Sequence, residues 1–477
     1  MSLLESAGQS HLRRMWRLSW PAIIEQILAI MVSYADTAMV GVLGAAGTAA
    51  VSVNAAAIWL LNGFLMSVGV GYSVQVSHAI GAGDDERVRQ VVRQGVLAAA
   101  VVGLLALAVY QLLAGSLPRW LGAEPDVLPQ ASLYLRLYTL AAPFVAAGSI
   151  FSAILRCMGN TKTPLYFNTT ANVINVILNF FLIYPTRPAS VLGRTVTIPG
   201  AGLGAAGAAT ASAIALTFAG VAMLAAGVRQ GRFRIALREC RRPDGPIIRQ
   251  AVYLGVPTAI ERATINLGQI AMTALVASLG TVSLAAHQIA TTAEGVCYLP
   301  AYGISYAAVA LVGQSVGARS RTEAGAYGRL AGWLGFWMCL ATGAALFVFA
   351  PQLAALFNTD PLVVVEATVM LRIVAFAEPL FAVSIILFGA LRGARDVRFP
   401  MVVGLAGMWG LRVPLAFALV YWAKLGLAGV WIAMTIELNL RGLLSALRWK
   451  SGAWELKCGL RGSATAAPPP AGPDELQ

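Results

Sequence analysis

Acidic side chains inside long apolar segments are the residues of this sequence that could do chemistry. Four lie well inside such segments, Glu25, Asp36, Glu261 and Glu378, and Glu437 lies near the end of another. Placing an aspartate at the centre of a membrane helix costs roughly 2.5–3.5 kcal/mol on insertion scales. Because a low-dielectric environment penalises the charged carboxylate, such a group can bind and release a proton or a cation. The sequence therefore predicts ion binding or specific polar contacts at these positions.

Asp36 is the strongest of these candidates. The apolar run around it continues to Leu43, so its carboxyl group does not lie at a helix boundary. Glu25 and Asp36 are eleven residues apart, close to three helical turns, and so share one face of the helix. Gln26 and Tyr34 lie near this polar line, and we expect the line to face the interior of the protein.

A later apolar segment carries three amides, Asn172, Asn175 and Asn179. Asn175 and Asn179 are four residues apart and therefore stack on one helical face. Amide groups can ligate sodium or hydrogen-bond a protonated carboxyl group. The alternative is polar packing between helices, which is common in membranes.

The composition requires a membrane around these residues. Of 477 residues, 58% are hydrophobic and 12% are charged, and the mean hydropathy is +0.73. A soluble domain carries about 25% charged residues, so this chain has too little charge to cover a water-facing surface. The net charge of +13 is dispersed between apolar segments, which does not indicate a nucleic-acid partner. The five cysteines show no pairing pattern and are expected to be reduced.

Twelve apolar segments are long enough to span a bilayer, which takes about 20 residues each. They begin near Leu18, Val51, Val91, Ala131, Leu165, Gly202, Gln250, Leu284, Arg329, Val364, Met401 and Leu425. With the N-terminus inside, 26 of the 34 basic residues fall in inner segments. The positive-inside rule then places both termini in the cytoplasm.

The two halves of the chain are an internal duplication at a spacing of 236 residues. Chance matches in apolar helices would not include proline, glutamate and arginine at one fixed offset. The matched residues include Pro21 with Pro257, Glu25 with Glu261, Pro143 with Pro379, Arg156 with Arg392, and Pro164 with Pro400. After Pro164 the offset falls to 222, which indicates an insertion of 14 residues around Tyr184 to Pro199.

The duplication predicts an all-α membrane protein with twelve transmembrane helices in two parallel, pseudo-twofold-related six-helix lobes. The predicted divisions are a cytoplasmic N-terminus (1–17), an N-lobe (18–228), a basic linker (229–249), a C-lobe (250–448) and a cytoplasmic tail (449–477), disordered from about 462. Parallel repeats of this kind bind substrate between the lobes and alternate access as the lobes move. With three histidines (His11, His78 and His287) and none paired, the sequence does not indicate an enzyme.

Several motifs, in the same order in both halves, resemble the multidrug and toxic compound extrusion (MATE) family. The first helix reads WPAIIEQILAIMVSYADTAMVGVLG; later come VSHAIGAGD with its partner VGQSVGARS, LRCMGNTKTP with LRGARDVRFP, and GLGAAGAATA with GLAGVWIA. The resemblance covers residues 18–454. It implies export of amphipathic, often cationic compounds in exchange for protons or sodium ions. It further implies a bacterial plasma-membrane location, no cofactor besides the coupling ion, and a monomer.

The resemblance also implies roles for individual residues. Asp36 matches the acidic position that the family uses for cation binding, and a sodium ion could bind there. The repeat partner of Asp36 is Met272, so the fold itself does not require the carboxyl group. The N-lobe polar network would include Asn172, Asn175 and Asn179, with Tyr34 and Asn62 nearby.

Two readings stay open for Glu25 and Glu261. They could accept hydrogen bonds from groups freed by the Pro21 and Pro257 kinks, or they could line the cavity as a symmetric pair that attracts cations. Pro21 and Pro257 are the predicted hinges.

The second half departs from the family pattern, so a second ion site is not predicted there. The position where some members carry an acid falls near Ile265, beside Asn266, and Glu378 precedes a proline in the tenth helix. Both are candidates for the substrate cavity. The alternative function is a lipid-linked sugar or metabolite flippase, which would need a cationic cavity; Arg262 and Arg412 are the main basic residues within spans.

Overall fold

Most of the chain folds into helices that are too long and too apolar for a soluble protein. The computed structural model describes residues 2–191, 194–236, 240 and 242–460. The helices of the first half are α1 (Ser2–Gly41), α2 (Gly44–Gly81), α3 (Asp85–Leu113), α4 (Leu117–Trp120), α5 (Leu128–Thr139), α6 (Ala142–Cys157), α7 (Lys162–Leu182) and α8 (Gly204–Val228). A short 3-10 turn, Gly231–Phe233, follows.

The second half repeats this series. Its helices are α9 (Gly245–Ala277), α10 (Thr281–Gly317), α11 (Arg321–Val348), α12 (Ala350–Phe357), α13 (Pro361–Ala375), α14 (Glu378–Gly393), α15 (Arg398–Leu405), α16 (Val413–Tyr421), α17 (Gly426–Lys450) and α18 (Ala453–Lys457). A π-helical turn, Ala406–Arg412, joins α15 to α16 within one span. Helix ends recur at the predicted spacing: α2 and α10 end at Gly81 and Gly317. The two-lobe, all-α fold predicted from the sequence is confirmed.

Two spans are sharply bent at equivalent places. The axes of α5 and α6 differ by 48°, and those of α13 and α14 by 56°. Pro143 and Pro379 lie at the starts of α6 and α14, where a proline needs no hydrogen-bond donor and helps to begin the new helix. The bend therefore follows from a residue that both halves share.

Nine helices of the described chain are long and apolar enough to cross a membrane, and the two bent pairs raise this number to 11. Helix α9 has 33 residues and occupies the remaining place in the repeat, although it is not among those nine. Its mean hydropathy is lowered by polar side chains, including those of Glu261, Arg262, Asn266 and Gln269.

A β hairpin occupies the place of the predicted insertion. Strands β1 (Pro185–Val191) and β2 (Arg194–Ala201) pair antiparallel between α7 and α8. We call the end of the molecule that carries this hairpin the hairpin end. The opposite end carries the connection from α8 to α9 and is called the linker end.

At the linker end the two lobes meet through closely packed glycines. A side chain at Gly81 would overlap the backbone of Gln314, and one at Gly317 would overlap the backbone of His78. The His78 Nε2 atom lies 2.7 Å from the carbonyl oxygen of Gly393, and the Gln314 amide donates to that of Cys157 at 2.8 Å. Because these residues are repeat partners, the seam is pseudo-symmetric.

Both chain ends are more structured than the sequence indicates. Helix α1 begins at Ser2, so the predicted N-terminal segment is largely helical. At the other end, Trp454 is buried and stacks on Trp449 with ring centroids 4.6 Å apart. Arg448 binds the buried carboxylate of Asp396 at 2.8 Å. The segment predicted to be disordered from about 462 lies outside the described residues.

Candidate functional site

Asp36 of α1 is held by two amides of α7. The Asn179 amide donates to Asp36 Oδ1 at 2.7 Å. With its amide oriented to satisfy both of its neighbours, Asn175 donates to the two Asp36 oxygens at 2.8 and 3.0 Å and accepts from Ser212. The predicted grouping of Asp36 with Asn175 and Asn179 therefore exists, and the half-buried carboxylate keeps an open side.

The same two helices also contact each other at Glu25. The Asn168 amide lies 2.5 Å from Glu25 Oε1, and Glu25 and Asn168 have the same sequence separation as Asp36 and Asn179. Helices α1 and α7 therefore run parallel, with a polar face on each. Asn172 lies on this face of α7 between the two contacts and makes no side-chain hydrogen bond with a described residue.

Glu25 and Glu261 each form an ion pair with an arginine of their own lobe. Arg156 binds Glu25 at 2.8 Å, and Arg392 binds both oxygens of Glu261 at 2.7 and 2.8 Å. Both arginines had been recognised as repeat partners, but their contact with the glutamates had not. A signal was available, because a buried acid and a buried base recur together at one offset.

These groups surround a cavity of about 280 Å³ between the lobes, which we call the inter-lobe cavity. Its polar lining includes Glu25, Gln26, Arg156, Asn168 and Arg392. Its apolar walls include Met66, Val70, Phe144, Val145 and Leu216. Polar groups converging on an apolar chamber suit an amphipathic ligand.

Three other predicted cavity residues lie elsewhere. The Tyr34 hydroxyl donates to the backbone oxygen of Thr292 at 2.9 Å and so links the lobes. Asn62 lies against Tyr138 inside the N-lobe. Asn266 lies on the outer side of α9 beside Gly63 of α2.

The C-lobe contains a buried charged cluster that the sequence reading largely missed. Glu294 of α10 is 5% exposed and was not recognised as a membrane acid, although its helix is apolar on both sides. Glu378 is fully buried, and neither carboxyl oxygen has a hydrogen-bond partner among the described residues. Glu437 lies between two arginines, with its oxygens 3.5 Å from Arg412 Nε and 3.4 Å from Arg441 Nε.

This cluster borders a second cavity of about 160 Å³, which we call the C-lobe cavity. Its lining includes Glu294, Arg412 and Arg441. Arg262, Arg392 and Tyr302 line both this cavity and the inter-lobe cavity, so they form the wall between the two. A larger groove of about 800 Å³ near Trp333 and Trp449 contains no residue of either polar group.

No group of three or more histidine, cysteine, aspartate or glutamate side chains that could hold a metal ion lies within the described ranges. An ion at Asp36 would therefore rely on amide and hydroxyl oxygens around a single carboxylate. Such a donor set suits a proton or a hard, weakly bound monovalent cation.

Comparison with known proteins places this arrangement in context. The MatE family model matches residues 21–181 and 257–418, one match in each lobe. "Probable multidrug resistance protein NorM" of Burkholderia pseudomallei is 30% identical, covering 94% of this chain and 95% of that protein. The protein of the same name from Thermotoga maritima is 26% identical over 92% of both chains.

A solved structure described as the outward-facing conformation of a multidrug resistance MATE family transporter has the same fold. It superimposes with a TM-score of 0.85 at 21% identity, covering 94% of this chain and 96% of that one.

Proposed function

This chain belongs to the MatE family, and from that premise we propose that it exports amphipathic, often cationic compounds in exchange for protons or sodium ions. It is a multi-pass membrane transporter and not an enzyme. The observation that carries the proposal is the Asp36 site, where one carboxylate inside a span is held by the amides of Asn175 and Asn179.

The coupling ion binds at Asp36 in this scheme. A proton neutralises the carboxylate, which then accepts weaker hydrogen bonds from the two amides; a sodium ion is bound instead by the carboxylate and the amide oxygens. Either event changes the contact between α1 and α7. Because α1 also carries Glu25 in the inter-lobe cavity, a shift of α1 alters the substrate chamber.

The remaining parts of the cycle follow from the fold. Pro21 lies inside α1, four residues before Glu25, and is the proposed hinge of this movement; Pro257 is its counterpart in α9. One charge crossing 100 mV supplies about 2.3 kcal/mol. At about 1.4 kcal/mol per tenfold, this supports a substrate gradient of roughly fiftyfold.

The setting belongs to the same proposal. We place the protein in a bacterial plasma membrane as a monomer, with both termini cytoplasmic. The linker end then faces the cytoplasm and the hairpin end faces outward. The charge distribution supports this orientation, because arginines are concentrated at the linker end.

The decisive experiment is ethidium efflux from pump-deficient bacteria that express the protein. Asp36→Asn should abolish efflux at equal expression, and a protonophore or removal of external sodium should identify the ion. Asp126→Asn is the matched control, because Asp126 is exposed in the loop before α5. If neither ethidium nor a panel of other cationic dyes is exported, the drug-export proposal is wrong.

The alternative is a flippase for a lipid-linked sugar or another anionic metabolite. One observation favours it beyond the sequence: the fold brings Arg262, Arg392, Arg412 and Arg441 around one cavity, although they are far apart in the chain. This alternative would lead if no cationic dye is exported.

A further inference from the structure

We infer that the C-lobe cavity binds the anionic group of an amphipathic substrate whose apolar body lies in the inter-lobe cavity. The anionic group is a carboxylate or a similar monoanion. This rests on the proposed function and extends its substrates from cations to zwitterions and organic anions.

The first argument is the arrangement of Arg412 and Arg441. Arg412 is 4% exposed and Arg441 is 9% exposed, and both share the single carboxylate of Glu437. Neither Nε atom makes a hydrogen bond with a described residue. A buried guanidinium group has five donors in a planar fork, which suits an oxyanion. The cluster therefore has donor capacity that the protein leaves unused.

The second argument is the charge around the cavity. Arg392 is neutralised by Glu261, but Arg262 has no carboxylate partner among the described residues. Glu294 also lines the cavity, and Glu378 lies near it without any partner. An unpartnered buried carboxyl group takes its neutral form, since the charged form is too costly there. Guanidinium groups then outnumber carboxylates around the cavity, so it attracts an anion.

The third argument is that the fold does not need these charges. At the repeat spacing, Glu294 corresponds to Ile58, Arg412 to Val176 and Arg441 to Ala219. The N-lobe forms the same helices with apolar residues in these places. Arg412 also ends a π-helical turn that α7 lacks, and such turns are frequent at functional sites. The charges therefore serve something specific to the C-lobe.

The two cavities have the size and connection that one ligand would need. About 160 Å³ accommodates an anionic group with part of an aromatic ring, and about 280 Å³ accommodates an apolar body. Arg262, Arg392 and Tyr302 line both spaces. Arg262 therefore lies where an anionic group would pass from one cavity to the other.

The test uses two dyes that differ in one charge: tetramethylrhodamine, a zwitterion with a free carboxylate, and its methyl ester, a cation. Binding of each to the purified full chain in detergent is measured by fluorescence anisotropy. We expect the free acid to bind, and we expect Arg262→Gln to weaken its binding about tenfold, the effect of one charge-assisted hydrogen bond. Binding of the ester should be unchanged.

Arg262→Gln is the primary variant because it leaves no buried carboxylate without its cation. Arg412→Lys is the second: a lysine keeps the charge but loses the planar fork, so the acid should again lose affinity relative to the ester. Arg372→Gln is the control, since Arg372 is exposed and contacts only the ring of Phe347. It should change the affinity for neither dye.

The inference is wrong if the free acid does not bind, or if Arg262→Gln weakens acid and ester equally. Failure of the proposed function is seen separately, as an absence of gradient-driven export of the ester from cells. Export of the ester without binding of the acid overturns the anion site and leaves the exporter standing.

Discussion

Two glutamates that the sequence left with two readings, Glu25 and Glu261, turn out to be half of a repeated ion pair. Each binds an arginine of its own lobe while one face of the pair borders a cavity. Breaking a buried pair leaves a charge without compensation, which costs far more than the pair contributes when intact. The pairs therefore fix helices within each lobe and at the same time place charge at the cavity.

Removing one partner of the C-lobe pair should expose this cost. We expect Glu261→Gln and Arg392→Gln each to lower the stability of the folded protein by about 3–5 kcal/mol. The double variant should recover part of this loss, because it leaves no unpaired charge. Thermal unfolding of the purified protein in detergent measures all three variants. Additive losses in the double variant would mean that the two side chains do not depend on each other.

Single residues differ in how readily the sequence reveals them. Asp36 could be predicted because it interrupts a long apolar run and its repeat partner is Met272. The same reasoning would have found Glu294, whose repeat partner is Ile58, had it been applied to every acid. Contacts such as that between Glu437 and Arg412 could not be predicted, because only the crossing of two distant helices creates them.

At the scale of elements, α1 and α7 work as a pair of parallel polar faces. The contacts at Glu25 and at Asp36 lie at the two ends of the same amide row on α7. The row was predicted from its spacing, but its partner helix was not, since periodicity gives a face and not the helix opposite it.

The amide contacts to Asp36 should set the affinity for the coupling ion. We expect Asn179→Leu to raise the sodium or proton concentration needed for half-maximal efflux by about tenfold, because one hydrogen bond to a charged group is lost. Asn172→Leu is the matched control on the same face, since Asn172 makes no such contact. Equal effects of the two substitutions would contradict a specific role for Asn179.

Element boundaries show where a hydropathy scan is imprecise. The sequence places the start of the seventh span near Gln250, whereas α9 begins at Gly245. The Asp244 carboxylate accepts a hydrogen bond from the Ile247 amide and caps the helix there. Hydropathy responds to apolar side chains and misses such caps, and it also misses the bend between α13 and α14.

At the scale of the whole molecule, the linker end is sealed by helix backbones that only glycine lets approach. Gly81 and Gly317 occupy equivalent places in the two lobes, each against the backbone of the other lobe. The duplication predicted two similar lobes, but no property of either lobe alone could indicate how tightly they meet.

A bulky residue in this seam should hold the linker end apart. We expect Gly317→Leu to increase the reactivity of Cys157, which lines the inter-lobe cavity, towards a water-soluble maleimide. The other four cysteines are replaced first, and labelling is compared in inside-out vesicles. Gly115→Leu is the control, because Gly115 has open space around it. Unchanged labelling in Gly317→Leu would show that the seam is not the barrier.

The β hairpin gives this protein a practical handle for imaging. A membrane protein of 49.9 kDa leaves little outside its detergent belt for electron microscopy to align, and two similar lobes make its projections nearly interchangeable. Strands β1 and β2 occur in one lobe only, and their pairing runs from Pro185–Ala201 to Val191–Arg194. A rigid scaffold grafted between Val191 and Arg194 would therefore mark one lobe, giving each particle an unambiguous orientation without touching the helices that carry Asp36 and the arginines.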